Sequence, residues 1–342
     1  MKKSIKMQEA LFYKKIDNNK VQCNLCPWNC ELKSDQTGVC KVRENKDGLL
    51  VTHVYNKVAA LGTDPIEKKP LYHFFPGKNI LSIGEVGCNL FCSFCQNHNI
   101  SQCFAKDFKA FHAVTSEQII KTALQTKNNI GLAYTYNEPF TFYEFMFDTA
   151  KLVKKQNLKN VVVSNGYINP EPLKQILPLI DAFNIDLKAF ENDFYKTFTK
   201  GKLEPVLQTL KIISANGNHL EITNLVIPDL NDDDKKFEAM VKWIAEELGP
   251  HIPLHLSRYF PQYKLVLPPT STEKLNQFYS TAKQYLHHVY LGNVNDEVHA
   301  STRCPNCHAL LIERNHYLAK IVQNDFKGTC KACGTPAHVI MN

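Results

Sequence analysis

Strand-like and helix-like stretches alternate from about residue 78 to residue 291, and no other feature narrows the fold as much. Short runs rich in β-branched and apolar residues stand at 79–86, 130–136, 160–165, 181–187, 219–227, 253–258 and 288–291. Helix-like segments lie near 115–127, 141–157, 171–178, 204–216, 233–248 and 271–287. Several open on cap signals: Thr115-Ser116-Glu117, Asn169-Pro170-Glu171, and Ser271-Thr272 ahead of Glu273. This alternation predicts an α/β fold with a parallel sheet and right-handed crossovers, open or closed into a barrel. Ligands of such folds sit at the C-terminal ends of the strands.

The first of these strands runs into Gly84-Glu85-Val86-Gly87-Cys88-Asn89-Leu90-Phe91-Cys92-Ser93-Phe94-Cys95-Gln96-Asn97. The cysteines, spaced C-x3-C-x2-C, begin on the loop that leaves it. Three thiolates do not complete a tetrahedral zinc site. They can hold three irons of a [4Fe-4S] cubane and leave the fourth open.

Twelve cysteines are many for a chain in a reducing compartment, where disulfides are rare. Their clustering argues for metal. Cys23, Cys26, Cys30 and Cys40 lie in a stretch of weak periodicity, where a metal often substitutes for a core. They could bind zinc or a second iron–sulfur cluster, or simply pack. Cys304-x2-Cys307 and Cys330-x2-Cys333 read as a four-cysteine zinc (Zn2+) ribbon, with a rubredoxin-like iron site as the alternative. Cys103, standing alone, reads as a small buried hydrophobe.

A chain of 342 residues suits one large domain with small appendages. The expected division is a Cys-rich extension at 1–75, a core domain at 76–295 and a terminal module at 296–342. No apolar run reaches membrane-spanning length, and no apolar stretch follows the lysines of Met1-Lys-Lys-Ser-Ile-Lys. A cytoplasmic protein without a signal peptide or membrane partner is expected. The net charge of +7 comes from lysines scattered in ones and twos. That pattern fits a solvated surface better than a nucleic-acid footprint.

The strand ends carry polar groups. Glu138, in Tyr134-Thr-Tyr-Asn137-Glu138-Pro139, is placed to accept from a bound ammonium, or else complements a helix start. Ser164-Asn165-Gly166 ends the next strand, where turn chemistry explains it as well as a site does. Alternation puts Asn184, Asp186 and Lys188 on one face of an otherwise apolar strand. Such groups need partners, so they mark a site or a buried ion pair. Glu221, Thr223, His255 and Arg258 are candidates for pocket lining only.

Together these residues resemble a known family. Cys88-x3-Cys92-x2-Cys95, with Phe94 before the last cysteine, is similar to the radical S-adenosylmethionine (radical SAM) signature. The run from Gly87 to Asn97 resembles enzymes that activate glycyl-radical enzymes, such as the pyruvate formate-lyase activating enzyme. Tyr136-Asn-Glu-Pro139, Ser164-Asn-Gly166, Asn184-Ile-Asp-Leu-Lys188 and Thr223-Asn-Leu-Val-Ile-Pro228 fit the same pattern. With the N-terminal Cys-x-Leu-Cys-Pro and the terminal double knuckle, the chain resembles the radical SAM member of AmmeMemoRadiSam systems.

The resemblance implies a partial (β/α)6 TIM-like barrel and an oxidoreductase-like enzyme. It implies a [4Fe-4S] cluster on Cys88, Cys92 and Cys95, with S-adenosyl-L-methionine on its open iron. Reductive cleavage would give a 5′-deoxyadenosyl radical that abstracts a substrate hydrogen. Asn137 and Glu138 would occupy the place of the Gly-Gly-Glu element that supports the methionyl amino group. The chain departs from that element by carrying Tyr136-Asn137 where glycines usually stand. Ser164, Asp186 and Lys188 would line the ribose and carboxylate, and Phe94 would pack near the adenine. Implied partners are a flavodoxin or ferredoxin electron donor, Memo-type and AMMECR-type proteins, and a small-molecule or protein substrate. The competing readings are an activase that makes a glycyl radical on a partner, and a non-catalytic metal-binding module that contacts nucleic acid or protein.

Overall fold

The computed structural model describes residues 7–325 and 327–341; the lysine-bearing residues 1–6 lie outside it. Its central sheet has eight strands: β1 (Ala60–Pro65), β2 (Asn79–Gly84), β3 (Asn129–Tyr134), β4 (Lys159–Ser164), β5 (Ala182–Asp186), β6 (His219–Val226), β7 (Leu254–Arg258) and β8 (Val289–Gly292). Each strand pairs with its sequence neighbours, so the order is β8 to β1 without a jump. Pairing is parallel from β2 to β8 and antiparallel only between β1 and β2. Among the described residues β1 and β8 do not pair with each other, so the sheet is open. All the strands expected from the alternation are present. β1 was not foreseen, since Ala-Leu-Gly-Thr-Asp-Pro carries two residues that weaken strands.

The crossovers hold α1 (Ser116–Gln125), α2 (Tyr143–Lys155), α3 (Pro170–Ile176), α4 (Leu203–Asn216), α5 (Asp234–Glu247) and α6 (Thr272–Ala282). Thr115 and Gln118 close a capping box on α1, and Ser271 accepts from the Lys274 amide at the start of α6. Pro178 cannot donate to a helical ladder, and α3 gives way to a short 3-10 turn there. Asn169 caps α3 in position only. Its side-chain amide instead donates to the carbonyls of Asn24 and Cys26.

That diversion ties the N-terminal region to the sheet. The region forms two three-stranded sheets, from Tyr13–Ile16, Lys20–Cys23 and Glu31–Leu32, and from Gln8–Glu9, Leu49–Thr52 and Arg43–Lys46. Strands of two to four residues leave little periodicity to detect, which accounts for the weak signal. Contrary to the expectation of a missing core, Ala10, Val21, Leu25, Leu32, Val42 and Leu50 are buried in the same cluster as the central sheet. Arg43, fully buried, pairs with Glu144 of α2 and donates to the Leu11 carbonyl.

The last part of the chain forms an antiparallel sheet of Thr302–Arg303, Leu310–Asn315 and Leu318–Ile321. It has a small apolar cluster of its own, including Leu311, Ile312, Ala337 and Val339. Arg314 anchors it: the guanidinium donates to the Thr302 hydroxyl at 2.7 Å and to the Tyr72 carbonyl at 2.5 Å.

One glycine sets how closely the N-terminal region approaches the cysteine loop after β2. Gly87 has φ 89°, and a Cβ there would lie 2.2 Å from Val42 Cγ2 and 2.6 Å from the Cys40 carbonyl oxygen. Gly87→Ala combines backbone strain with overpacking, so it should cost at least about 2 kcal/mol of unfolding free energy. Urea denaturation of the two proteins measures this; equal midpoints would contradict the packing described.

Candidate functional site

Parallel register brings the C-terminal ends of four neighbouring strands to one edge. Ile83 lies opposite Tyr134, Tyr134 opposite Val162, and Ser164 opposite Ile185. The loops leaving β2, β3, β4 and β5 therefore emerge together, and they carry the candidate residues.

The loop after β2 is fixed mainly through its backbone. Gly87 donates to Ile100, Phe91 to Thr199 and Ser93 to Phe198, at 2.8–3.0 Å. Asn137 uses both ends of its amide on this loop, donating to the Gly87 carbonyl at 2.7 Å and accepting from the Glu85 amide at 3.2 Å. The Trp28 indole donates to the Asn89 carbonyl at 2.7 Å, and the Asn89 side chain donates to the Tyr167 carbonyl at 2.6 Å. Cys88, Cys92 and Cys95 thus sit on a pre-shaped turn.

The sulfurs have polar company. The Leu90 amide is 3.4 Å from Cys88 Sγ, the Asn165 side-chain nitrogen 3.6 Å from the same atom, and the Ser101 hydroxyl 3.1 Å from Cys95 Sγ. Burial pushes the Cys88 thiol well above its ordinary value, and the Glu138 carboxylate beside it adds to the shift. Burial pushes Cys92 up to about 11, against the pull of the Lys188 ammonium. Thiolates at such positions need a bound cation. The three sulfurs do not draw together as ligands of one ion do: among the described residues, only the C-terminal cysteines form a set within 4.8 Å of one another. The wider spacing suits a polynuclear iron–sulfur group.

Glu138 follows β3 and is fully buried. It accepts from the Ser164 hydroxyl at 2.8 Å, the Asn165 amide at 2.9 Å and the Phe140 amide at 3.1 Å. Burial raises its carboxyl to about 7, while these donors pull the other way. Glu138 and Ser164, expected in separate roles, are thus joined, and Asn165 links both to Cys88. Sequence reading gave Asn165 no role beyond turn chemistry.

Tyr136 adopts φ 72°, the left-handed conformation that glycine takes most easily. The backbone therefore keeps a glycine-like path although the residue is tyrosine. Its ring lies over Gly84, where a Cβ would come within 2.9 Å of it. Its hydroxyl is 3.3 Å from Asp64 Oδ2.

Asp186 and Lys188 form an ion pair at 2.7 Å beside the cysteine loop. Burial disfavours the Lys188 charge, but Asp186 and the neighbouring Cys92 sulfur outweigh it and hold the ammonium above its ordinary value. Lys188 Nζ lies 6.0 Å from the centre of the buried Phe94 ring. Phe94, Asp186 and Lys188 are thereby brought together near Cys92. Asn184 is not part of this group: its amide reaches the Pro70 carbonyl and its oxygen accepts from Thr223. Glu221 lies in the N-terminal half of β6, where it accepts from the Tyr72 and His73 amides and contacts His219 and His255. Arg258 donates to the Thr270 carbonyl. These candidates for pocket lining serve as internal braces.

Glu85 carried no signal in the sequence. It is fully buried immediately before the cysteine loop, with neither carboxyl oxygen partnered in the structure. Burial and the nearby Glu144 push its carboxyl well above the ordinary range.

In the terminal module, Cys304 Sγ lies 3.5 Å from Cys333 Sγ and Cys307 Sγ 3.7 Å from Cys330 Sγ. A tetrahedral ion with sulfur at about 2.3 Å has edges of about 3.8 Å. The four sulfurs therefore fit a single metal ion. Cys103 is half-buried, with its sulfur 3.2 Å from the Ile100 carbonyl in its own turn.

Comparison with known proteins agrees with this edge of the sheet. Residues 85–244 match the Radical SAM superfamily. The uncharacterized protein MJ0808 of Methanocaldococcus jannaschii is 44% identical over 338 residues, 98% of this chain and 100% of that one. Pyruvate formate-lyase-activating enzyme of Clostridium pasteurianum is 26% identical over 186 residues, 51% of this chain and 75% of that one. The fold is similar to that of a radical SAM methyltransferase from Sphaerobacter thermophilus, with a TM-score of 0.50 at 15% identity over 72% of each chain. With the cysteine loop, the parallel sheet and the match over residues 85–244 in agreement, the chain carries a domain of the radical SAM superfamily.

Proposed function

We propose that this protein cleaves S-adenosylmethionine reductively and takes a hydrogen atom from a small molecule or protein partner within a Memo-type system. The observation that carries the reading is the convergence of Cys88, Cys92 and Cys95 with Glu138 and the Asp186–Lys188 pair at one edge of the sheet. A [4Fe-4S] cluster with S-adenosylmethionine, when bound, supplies the one-electron chemistry. Cys88, Cys92 and Cys95 hold the cluster. Glu138, kept in place by Ser164 and Asn165, accepts from the methionyl ammonium. The Asp186–Lys188 pair binds the carboxylate and ribose, and Phe94 packs against the adenine. Asn137 acts on the loop rather than on the ligand. A flavodoxin or ferredoxin supplies the electron. The Cys-x-Leu-Cys-Pro element and the double knuckle at Cys304–Cys307 and Cys330–Cys333 support the assignment to a Memo-type system.

A second reading is an activase that forms a glycyl radical on a protein partner. It is favoured by the similarity to the pyruvate formate-lyase-activating enzyme over half the chain. A glycyl-radical electron paramagnetic resonance (EPR) signal on a co-purified partner would select it.

Three outcomes follow. After anaerobic reconstitution, the wild-type protein with dithionite and S-adenosylmethionine should release 5′-deoxyadenosine. Cys92→Ala should release none, and equal yields would refute the enzyme reading. Ionised Glu138 is the better partner for an ammonium, so binding of S-adenosylmethionine should strengthen as pH rises through about 7. Glu138→Gln should bind about tenfold to a hundredfold more weakly and lose that pH dependence, as equilibrium dialysis would record. The terminal module should carry one zinc per chain. Cys307→Ser should lose it and lower the melting temperature, while unchanged zinc content would contradict the site.

A further inference from the structure

The two cysteine sets outside the loop after β2 differ in a way the sequence does not show. The C-terminal sulfurs gather within 4.8 Å of one another, as one ion requires. Cys23, Cys26, Cys30 and Cys40 do not form such a set, although all four are free and are close enough for their charges to interact. No three of their sulfurs lie within 4.8 Å of one another, a wider spread than the edges of about 3.8 Å of a tetrahedral zinc site.

The Cys23 amide donates to the Cys30 carbonyl at 2.9 Å and the Asn29 amide to the Cys26 carbonyl at 3.0 Å, so the turns that carry these cysteines are held together. Two residues beside the cysteines, Asn29 and Lys41, take left-handed φ values of 44° and 66° and tighten the turns that carry them. The buried Arg43 places Nη1 3.6 Å from Cys23 Sγ, and its Nε is buried with no partner in the structure. A buried guanidinium beside this cysteine set supplies a donor for the negative charge of a cysteine-bound iron–sulfur cluster.

The set also lies directly against the loop of the first cluster. Trp28, between Cys26 and Cys30, bonds the Asn89 carbonyl, and the Cys40 carbonyl abuts Gly87. Lys41, next to Cys40, donates to the Gln102 carbonyl at 2.8 Å, in the segment that follows that loop.

We propose that Cys23, Cys26, Cys30 and Cys40 hold a second [4Fe-4S] cluster, packed behind the loop of Cys88, Cys92 and Cys95. The site adds a one-electron carrier to the proposed function without depending on it, so its test is run where the first cluster cannot form. The full chain carrying Cys88→Ala, Cys92→Ala and Cys95→Ala is reconstituted without oxygen with isotopically enriched iron and sulfide.

About four iron and four acid-labile sulfide per chain are expected, with a Mössbauer spectrum of a cubane cluster. Adding Cys26→Ser and Cys40→Ser should bring the iron close to zero. Wild type should hold about twice the iron of the triple variant. After dithionite reduction its EPR signal should be broader than the sum of the two isolated clusters, because the clusters are neighbours. Iron without sulfide in the triple variant, zinc in its place, no metal there, or iron that survives the two serine changes would each overturn the proposal. Should the serine variant fail to fold, the iron-to-sulfide ratio and spectrum of the triple variant decide alone.

Discussion

Side-chain amides give the loop of Cys88, Cys92 and Cys95 its shape. A short loop at a sheet edge has backbone groups that neither strand nor helix satisfies, and each must find a partner when buried. Asn137 serves Glu85 and Gly87 at the start of the turn, and the Asn89 and Asn165 side chains join it to the loop after β4. Trp28 closes it from the N-terminal side. The sulfurs are thus positioned by three separate parts of the chain, and disturbing any of these propagates to the metal. Such a site is held by its surroundings before any ligand arrives.

Burial makes that arrangement electrostatically demanding. Glu138 and the Cys88 thiol, both buried, lie close together, with the Asp186–Lys188 pair beside Cys92. Glu138 is offset by two amides and a hydroxyl, and Lys188 by Asp186. Arg43 and Glu144 do the same one layer back, with both side chains almost wholly buried. Removing one member of such a pair strands the other, whereas the intact pair mainly fixes geometry. The neighbourhood of the cysteine loop is therefore specific rather than simply stable.

Much of this was legible in the sequence because two periodicities dominate it. Strands β2 to β8 and the six helices follow runs long enough to reveal their period, and C-x3-C-x2-C is specific at the end of a strand. The alternation in Asn184-Ile-Asp-Leu-Lys188 put three polar groups in need of partners on one face, left open between a site and an ion pair, and Asp186 and Lys188 do pair. The partner of Asn184 could not be read, since it is a carbonyl more than a hundred residues away. The N-terminal sheets were hidden because their strands are too short to show a period. The bracing role of Asn137 was not legible because an asparagine that braces backbone and one that binds a ligand look the same in a sequence. Glu85 was invisible for the same reason: nothing local distinguishes a buried carboxyl from an exposed one.

Tyr136 has a consequence for the strand end beside it. A tyrosine held at φ 72° costs on the order of 1–2 kcal/mol that a glycine would not. Its ring recovers contact by filling the space over β2 that Gly84 leaves open. Position 84 is closed from two sides, by the ring of Tyr136 and by the Thr135 carbonyl oxygen, which a Cβ there would meet at 2.7 Å. Glycine at 136 would remove only the first of these. The glycine that ends β2 is thus held by the backbone of the neighbouring strand end, whatever side chain stands at 136.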